Sequence, residues 1–223
     1  MTARQPRLVF ADPGEAAGLD AFLQRLLRWE KAAAVRIQAG GGVVGIFAKP
    51  ARFEVLAVRT ARLLEPADAE VDVTVSAGEL LEGVDESAEA FTVPASVTGP
   101  PWAGMLPPRG GWEAFGEVPA DAVRAVAAAA IGEFRERAEK LGPQERTREK
   151  LDALAEEIWS RPLGRTRLPL RAAHAAHALG FLSGEGQLKL LRAGVWLRLR
   201  APAGSVVVRS GAGKGPGLSV TPV

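Results

Sequence analysis

Residues 94–119, PASVTGPPWAGMLPPRGGWEAFGEVP, hold six prolines and five glycines. Proline removes a backbone donor and fixes φ, and glycine resists ordering, so no long helix or central strand is expected to cross this stretch. The 223-residue chain therefore has to be built in two parts around it. Trp102, Met105, Leu106, Trp112 and Phe115 do not suit a bare tether. Both tryptophans are expected to dock on a flanking domain, the alternative being a surface anchor for a partner. The resulting division is a sheet domain over 1–93, a connecting loop over 94–118, a helical and basic domain over 119–211, and a flexible tail over 212–223.

The first part opens with a strand at RLVFA (Arg7–Ala11). DPGEAAGLDAFLQRLLRWE follows, with Asp12 placed to cap a helix and Pro13 at its first position. Leu19, Phe22, Leu23, Leu26 and Leu27 recur with helical periodicity and predict one buried stripe. AAVRIQAGGGVVGIFA reads as a hairpin turning at Gly40–Gly42. FEVLAVRTARLL and AEVDVTVS are further strands, and AGELLEGV (Ala77–Val84) is a short helix. Strand, helix, meander, short helix is the order of an α+β fold: an antiparallel sheet with one long helix. Over residues 8–84, including Ser76 to Leu80 in an S-x-x-x-L helix, this order resembles one repeat of a DNA sliding clamp. That resemblance implies a ring-building repeat, of which only one is readable.

After the loop, PADAVRAVAAAAIGEFRERAEKLG predicts a long alanine-rich helix ending at Gly142. Helices are then expected at 145–159 and 168–179, a short one near 186–192, and a hairpin at 195–209 around Pro202-Ala203-Gly204. This order resembles a winged helix-turn-helix, which implies a recognition helix in the DNA major groove and a β-wing along the backbone.

Charge sharpens that expectation. Residues 1–111 carry a net −3 and residues 112–160 a net −4, whereas residues 161–223 carry +9 with Glu185 as their only acid. Such one-sidedness implies an anionic partner. Arg161, Arg165, Arg167 and Arg171 flank or open the second helix of the module. Lys189 and Arg192 lie on its third helix, and Arg198, Arg200 and Arg209 on the wing. In VWLRLRA, alternation puts Val195, Leu197 and Leu199 on one face and Trp196, Arg198 and Arg200 on the other. These nine cations are the expected nucleic-acid-binding residues of a non-enzymatic, DNA-associated regulatory protein. The alternative is a protein-interaction or assembly factor whose basic face meets an acidic partner, or its own chain in an oligomer.

Other chemistries find little support. The chain has no cysteine, which excludes disulfides, thiol nucleophiles and Cys-ligated metals. His174 and His177, three apart on one helical face, lack a neighbouring carboxylate to complete a metal site and sit among alanines that suit packing. GAGKGPG ends the chain without the helix a phosphate-binding loop opens, and QAGGGVVG joins two strands instead of starting a helix. No Ser-His-Asp set or G-x-S-x-G elbow is present. No cofactor, no metal and no enzymatic activity are expected. No apolar run approaches the ~20 residues of a membrane span, and the first residues lack a signal core, so a cytoplasmic protein is expected. The arginine- and alanine-rich composition suggests a bacterial source.

Overall fold

The computed structural model describes residues 5–67 and 70–210. The tail over 212–223, with its GAGKGPG motif, lies outside the described residues. β1 (Arg7–Val9) leads into α1 (Glu15–Trp29), and a meander follows: β2 (Ala34–Gly40), β3 (Val43–Ala48) and β4 (Leu56–Arg62). Next come β5 (Val71–Ser76), α2 (Ala77–Glu82), β6 (Val84–Asp85) and β7 (Ala90–Thr92). After a 3-10 turn at Pro101–Gly104, β8 (Glu113–Pro119) runs into α3 (Ala120–Lys140), α4 (Arg148–Trp159) and α5 (Leu170–Ala178). A second meander closes the described chain: β9 (Gln187–Ala193), β10 (Trp196–Ala201) and β11 (Gly204–Arg209).

The fold is α+β with antiparallel sheets. One sheet has eight strands in the order β5-β2-β3-β4-β11-β10-β9-β8, and a small one pairs β1, β7 and β6. The eight-stranded order is a mirror: a meander plus an outer strand on each side of the β4·β11 seam, where Val58 faces Ser205 and Leu56 faces Val207. Strand, helical segment and three-strand meander thus occur twice. In the second half the single helix is replaced by α3, α4 and α5.

Both meanders alternate. Val35, Ile37, Val44, Ile46, Leu188, Leu190, Leu197, Leu199, Val206 and Val208 face the helices and join the main core. Phe22 of α1 stacks on Phe181, just past α5, with centroids 5.6 Å apart across the seam. Each such ring, fully buried, contributes roughly 1.5–3 kcal/mol. On the opposite face, Phe47, Leu56, Val58 and Val207 form a second cluster covered by Trp102, Leu106, Trp112 and Trp196. The Pro/Gly-rich segment is therefore a strap across the back of the sheet. Trp102 and Trp112 are half-buried beneath it, while Met105 and Phe115 stay exposed.

Several expectations are corrected. Asp12 does not cap α1; it pairs with Arg62 at 2.7 Å. The cap comes from Glu89, seventy-odd residues later, whose carboxylate accepts from the Gly14 and Ala16 amides at 2.6 and 3.0 Å. These amides hold the Glu89 carboxyl below the usual carboxylate range. The C-terminal part is not a winged helix. The expected third helix near 186–192 is strand β9, because Leu188 and Leu190 alternate onto the core face and Gly184 and Gly186 stand at φ 92° and 111°. The expected wing is the interior of the large sheet, with β11 paired to β4 and β10 to β9. A strand is also found within the expected loop: β8 pairs with β9 through a bulge between Ala114 and Gly116.

Candidate basic and aromatic interface

The structure scatters the nine expected cations. Arg161 donates to both oxygens of Glu133 at 2.7 and 2.9 Å and to Glu157 at 2.8 Å, beside Arg137 in the same network. Those guanidinium contacts bring the Glu157 carboxyl down to about 2. Arg171 is held by Glu54 and Glu156, and Arg192 by Glu113 at 3.0 Å. Much of the +9 is thus spent on acids from the rest of the chain. Arg165 and Arg167 are exposed on the α4–α5 loop, which is closed by Leu163 N–H to Leu168 O at 2.7 Å. With no recognition helix and no wing among the described residues, and three of the nine cations neutralised internally, the reading of the C-terminal part as a DNA-binding regulatory module is overturned.

His174 is a packing residue. Its ring stacks on Trp159 at 4.0 Å and meets the edge of Phe53 at 4.9 Å. Burial, then the neighbouring His177, push its pKa down to about 4. Phe53 is turned into this site by backbone in the left-handed region on both sides, Arg52 at φ 74° and Glu54 at φ 51°.

The remaining four cations converge on the back of the sheet. Lys189, Arg198, Arg200 and Arg209 belong to β9, β10 and β11, and the period-two geometry of each strand points them away from the helices. Arg200 is the cross-strand partner of Lys189, and Trp196 that of Arg209. The Arg198 guanidinium lies over Trp112 at 5.4 Å and that of Arg209 over Trp196 at 5.6 Å. The Arg198 Nε is buried without a hydrogen-bond partner. Burial, then nearby Arg200, lower its pKa to about 10.

The other side of the strap contrasts with this. There Arg36 donates to Asp72 at 2.8 Å and to Thr74 at 3.0 Å, and Arg109 reaches Glu70 and Gln38. Among the described residues, Lys189, Arg198, Arg200 and Arg209 form no ion pair with a carboxylate. Two tryptophans and four cations without an ion pair form a surface matched to anionic groups carried on apolar chain. Alternation in the sequence placed Trp196, Arg198 and Arg200 together, but not Trp112, which the strap brings in from a different segment. Among the described residues no three of His, Cys, Asp and Glu come together as a metal site. No described helix is long and apolar enough to cross a membrane.

Two family models match the chain, each a domain of unknown function: DUF8010 over residues 3–104 and DUF8185 over residues 107–213. No curated protein matches the sequence. Among solved structures, the chain is similar to the DNA polymerase sliding clamp from Caulobacter crescentus, with 13% identity, a TM-score of 0.50, and coverage of 96% of this chain and 67% of that one. The clamp from Pseudomonas aeruginosa matches with 13% identity, a TM-score of 0.47, and coverage of 91% and 64%. The chain thus spans about two thirds of the length of these clamps. The likeness seen over residues 8–84 extends through most of the chain, and what it establishes is the fold: that of a sliding clamp.

Proposed function

We propose that this chain is a non-catalytic protein-interaction or assembly factor whose back sheet face receives an acidic segment of a partner protein. The observation that carries the reading is the set Lys189, Arg198, Arg200 and Arg209, unneutralised beside Trp112 and Trp196 while the cations elsewhere on the sheet are paired. Arginines without a carboxylate partner gain charge-assisted hydrogen bonds when a carboxylate reaches their terminal nitrogens. Trp and Arg are also the residue types that dominate binding energy at protein interfaces. The clamp-type fold supports a scaffolding role.

Fluorescence anisotropy of a labelled peptide rich in Asp and Glu, titrated with the full chain, tests this. Saturable binding that weakens with salt is expected, and Arg198→Ala with Arg209→Ala should weaken it about tenfold, the equivalent of about 1.4 kcal/mol. No saturable binding at low salt, or equal binding by the double variant, would contradict it.

A further inference from the structure

A second feature lies at the end of this face, where the β10–β11 turn meets β4. A cleft of about 300 Å³ opens there, walled by the turn Ala201–Ser205 and by strand residues from both halves of the chain. Four of its polar residues come from adjacent strands on one sheet face. Lys189 pairs across with Arg200, Arg200 with Ser205, and Ser205 with Val58. Thr60, two residues beyond Val58 on the same side of β4, completes the row.

The balance of these groups favours an anion. Ser205 is 3% exposed as a residue, and it lines the cleft without a side-chain hydrogen bond among the described residues. Lys189 and Arg200 also have no carboxylate partner among them. Glu15 lines the cleft too, but Arg59 neutralises it at 2.7 Å and donates at 2.9 Å to the Ala203 carbonyl. Glu117 faces Lys189 from β8 without an ion pair to it. Two free cations, two hydroxyls and the Gln187 amide therefore surround a space large enough for one compact group.

The geometry points to this cleft as an oxyanion pocket that takes one carboxylate or phosphate group between Lys189, Arg200 and Ser205. The assignment deepens the acidic-partner reading and rests on it only for the source of the anion. A side-chain or terminal carboxylate of the partner, with its chain lying over Trp196 and Arg198, would enter at Arg200, which belongs to both sites.

The test is a 15N NMR titration of the full chain, following the Gly204 and Ser205 amides. The probes are inorganic phosphate, succinate and the acidic peptide used for the sheet face. Saturable shifts at both amides are expected, with an apparent Kd raised at least about tenfold in the Lys189→Ala, Arg200→Ala double variant. Both substituted residues are exposed, and an unchanged spectrum away from the cleft verifies the fold. Saturation by phosphate or succinate but not by peptide supports the pocket with a free ion as its source, and counts against the acidic-partner reading alone. Saturation by the peptide supports the partner's carboxylate. Shifts that do not saturate with any probe, or that persist unchanged in the double variant, would overturn the pocket.

Discussion

Arg59 of β4 donates to the Glu15 carboxylate of α1 at 2.7 Å, and its other terminal nitrogen donates to the Ala203 carbonyl in the β10–β11 turn. One guanidinium, 12% exposed, thereby joins a helix N-terminus of the first half to a turn of the second. Arg59→Ala would leave a largely buried carboxylate and a carbonyl without donors. A loss of roughly 2–3 kcal/mol in denaturant-unfolding stability is expected, below the full cost of breaking a wholly buried pair because Glu15 keeps some solvent. Arg59→Ala combined with Glu15→Gln should lose less than the single arginine variant. Equal stability of Arg59→Ala and the parent would show that the seam does not depend on this contact.

The seam also depends on a missing side chain. A Cβ at Gly204 would lie 2.6 Å from the Phe181 ring, which is 1% exposed and stacked on Phe22. The added methyl would displace a ring held in the seam by Phe22, so Gly204→Ala should cost about 1–3 kcal/mol by overpacking. Phe181→Leu in the same background should recover part of that loss. Thermal unfolding of the two variants is the check, and additive losses would contradict the contact.

Glu89 caps α1 from outside its own segment. Its carboxylate is held below its ordinary pKa by the Ala16 and Gly14 amides, so its contribution is complete above the unfolded carboxylate pKa and is lost as pH falls through the lower folded value. Glu89→Gln should lower the melting temperature at pH 7 and flatten the acid limb of the stability profile. An unchanged acid limb would remove Glu89 from the account.

His174 adds a second acid-sensitive term over a different window. Above about pH 6.5 neither the folded nor the unfolded chain holds its proton. As pH falls toward about 4, the unfolded chain binds a proton that the buried ring refuses, so stability declines across that interval. The ring is partly solvated, so the expected decline is on the order of 1–2 kcal/mol. His174→Phe, which keeps an aromatic between Trp159 and Phe53, should remove the decline between pH 6.5 and about 5, above the range where Glu89 and the other paired carboxylates take up protons. A decline that persists in this variant would place its origin elsewhere.

Long periodic stretches were legible in the sequence. The stripe Leu19, Phe22, Leu23 and Leu26 defined α1, and the alternation of Trp196, Arg198 and Arg200 gave their common face. β9 was not legible as a strand because a short run such as QLKLLRA fits a helix as well; its pairing with β8 and β10 decides it. The second clamp-like half was hidden by the three helices between β8 and β9, and β8 by the proline and glycine around it. The site was half legible. Strand alternation placed Arg198, but Trp112 reaches it only through the path of the strap. The charge total also misled, because sequence distance conceals that Arg161, Arg171 and Arg192 meet Glu133, Glu156 and Glu113.

The central claim is that acidic chain binds at the Arg198–Trp112 and Arg209–Trp196 pairs, and the five indole N–H signals of the chain report on it directly. In a 15N NMR titration of the full chain with the acidic peptide, the Trp112 and Trp196 indoles should shift and saturate together. The Trp159 indole, stacked on His174 in the helical layer, should stay in place, as should that of Trp29 beside Phe53. Arg198→Ala with Arg209→Ala should move the midpoint of the remaining shifts about tenfold higher in peptide. Shifts confined to Trp29 and Trp159, or none at any indole, would contradict the assignment of the back sheet face as the partner-binding surface.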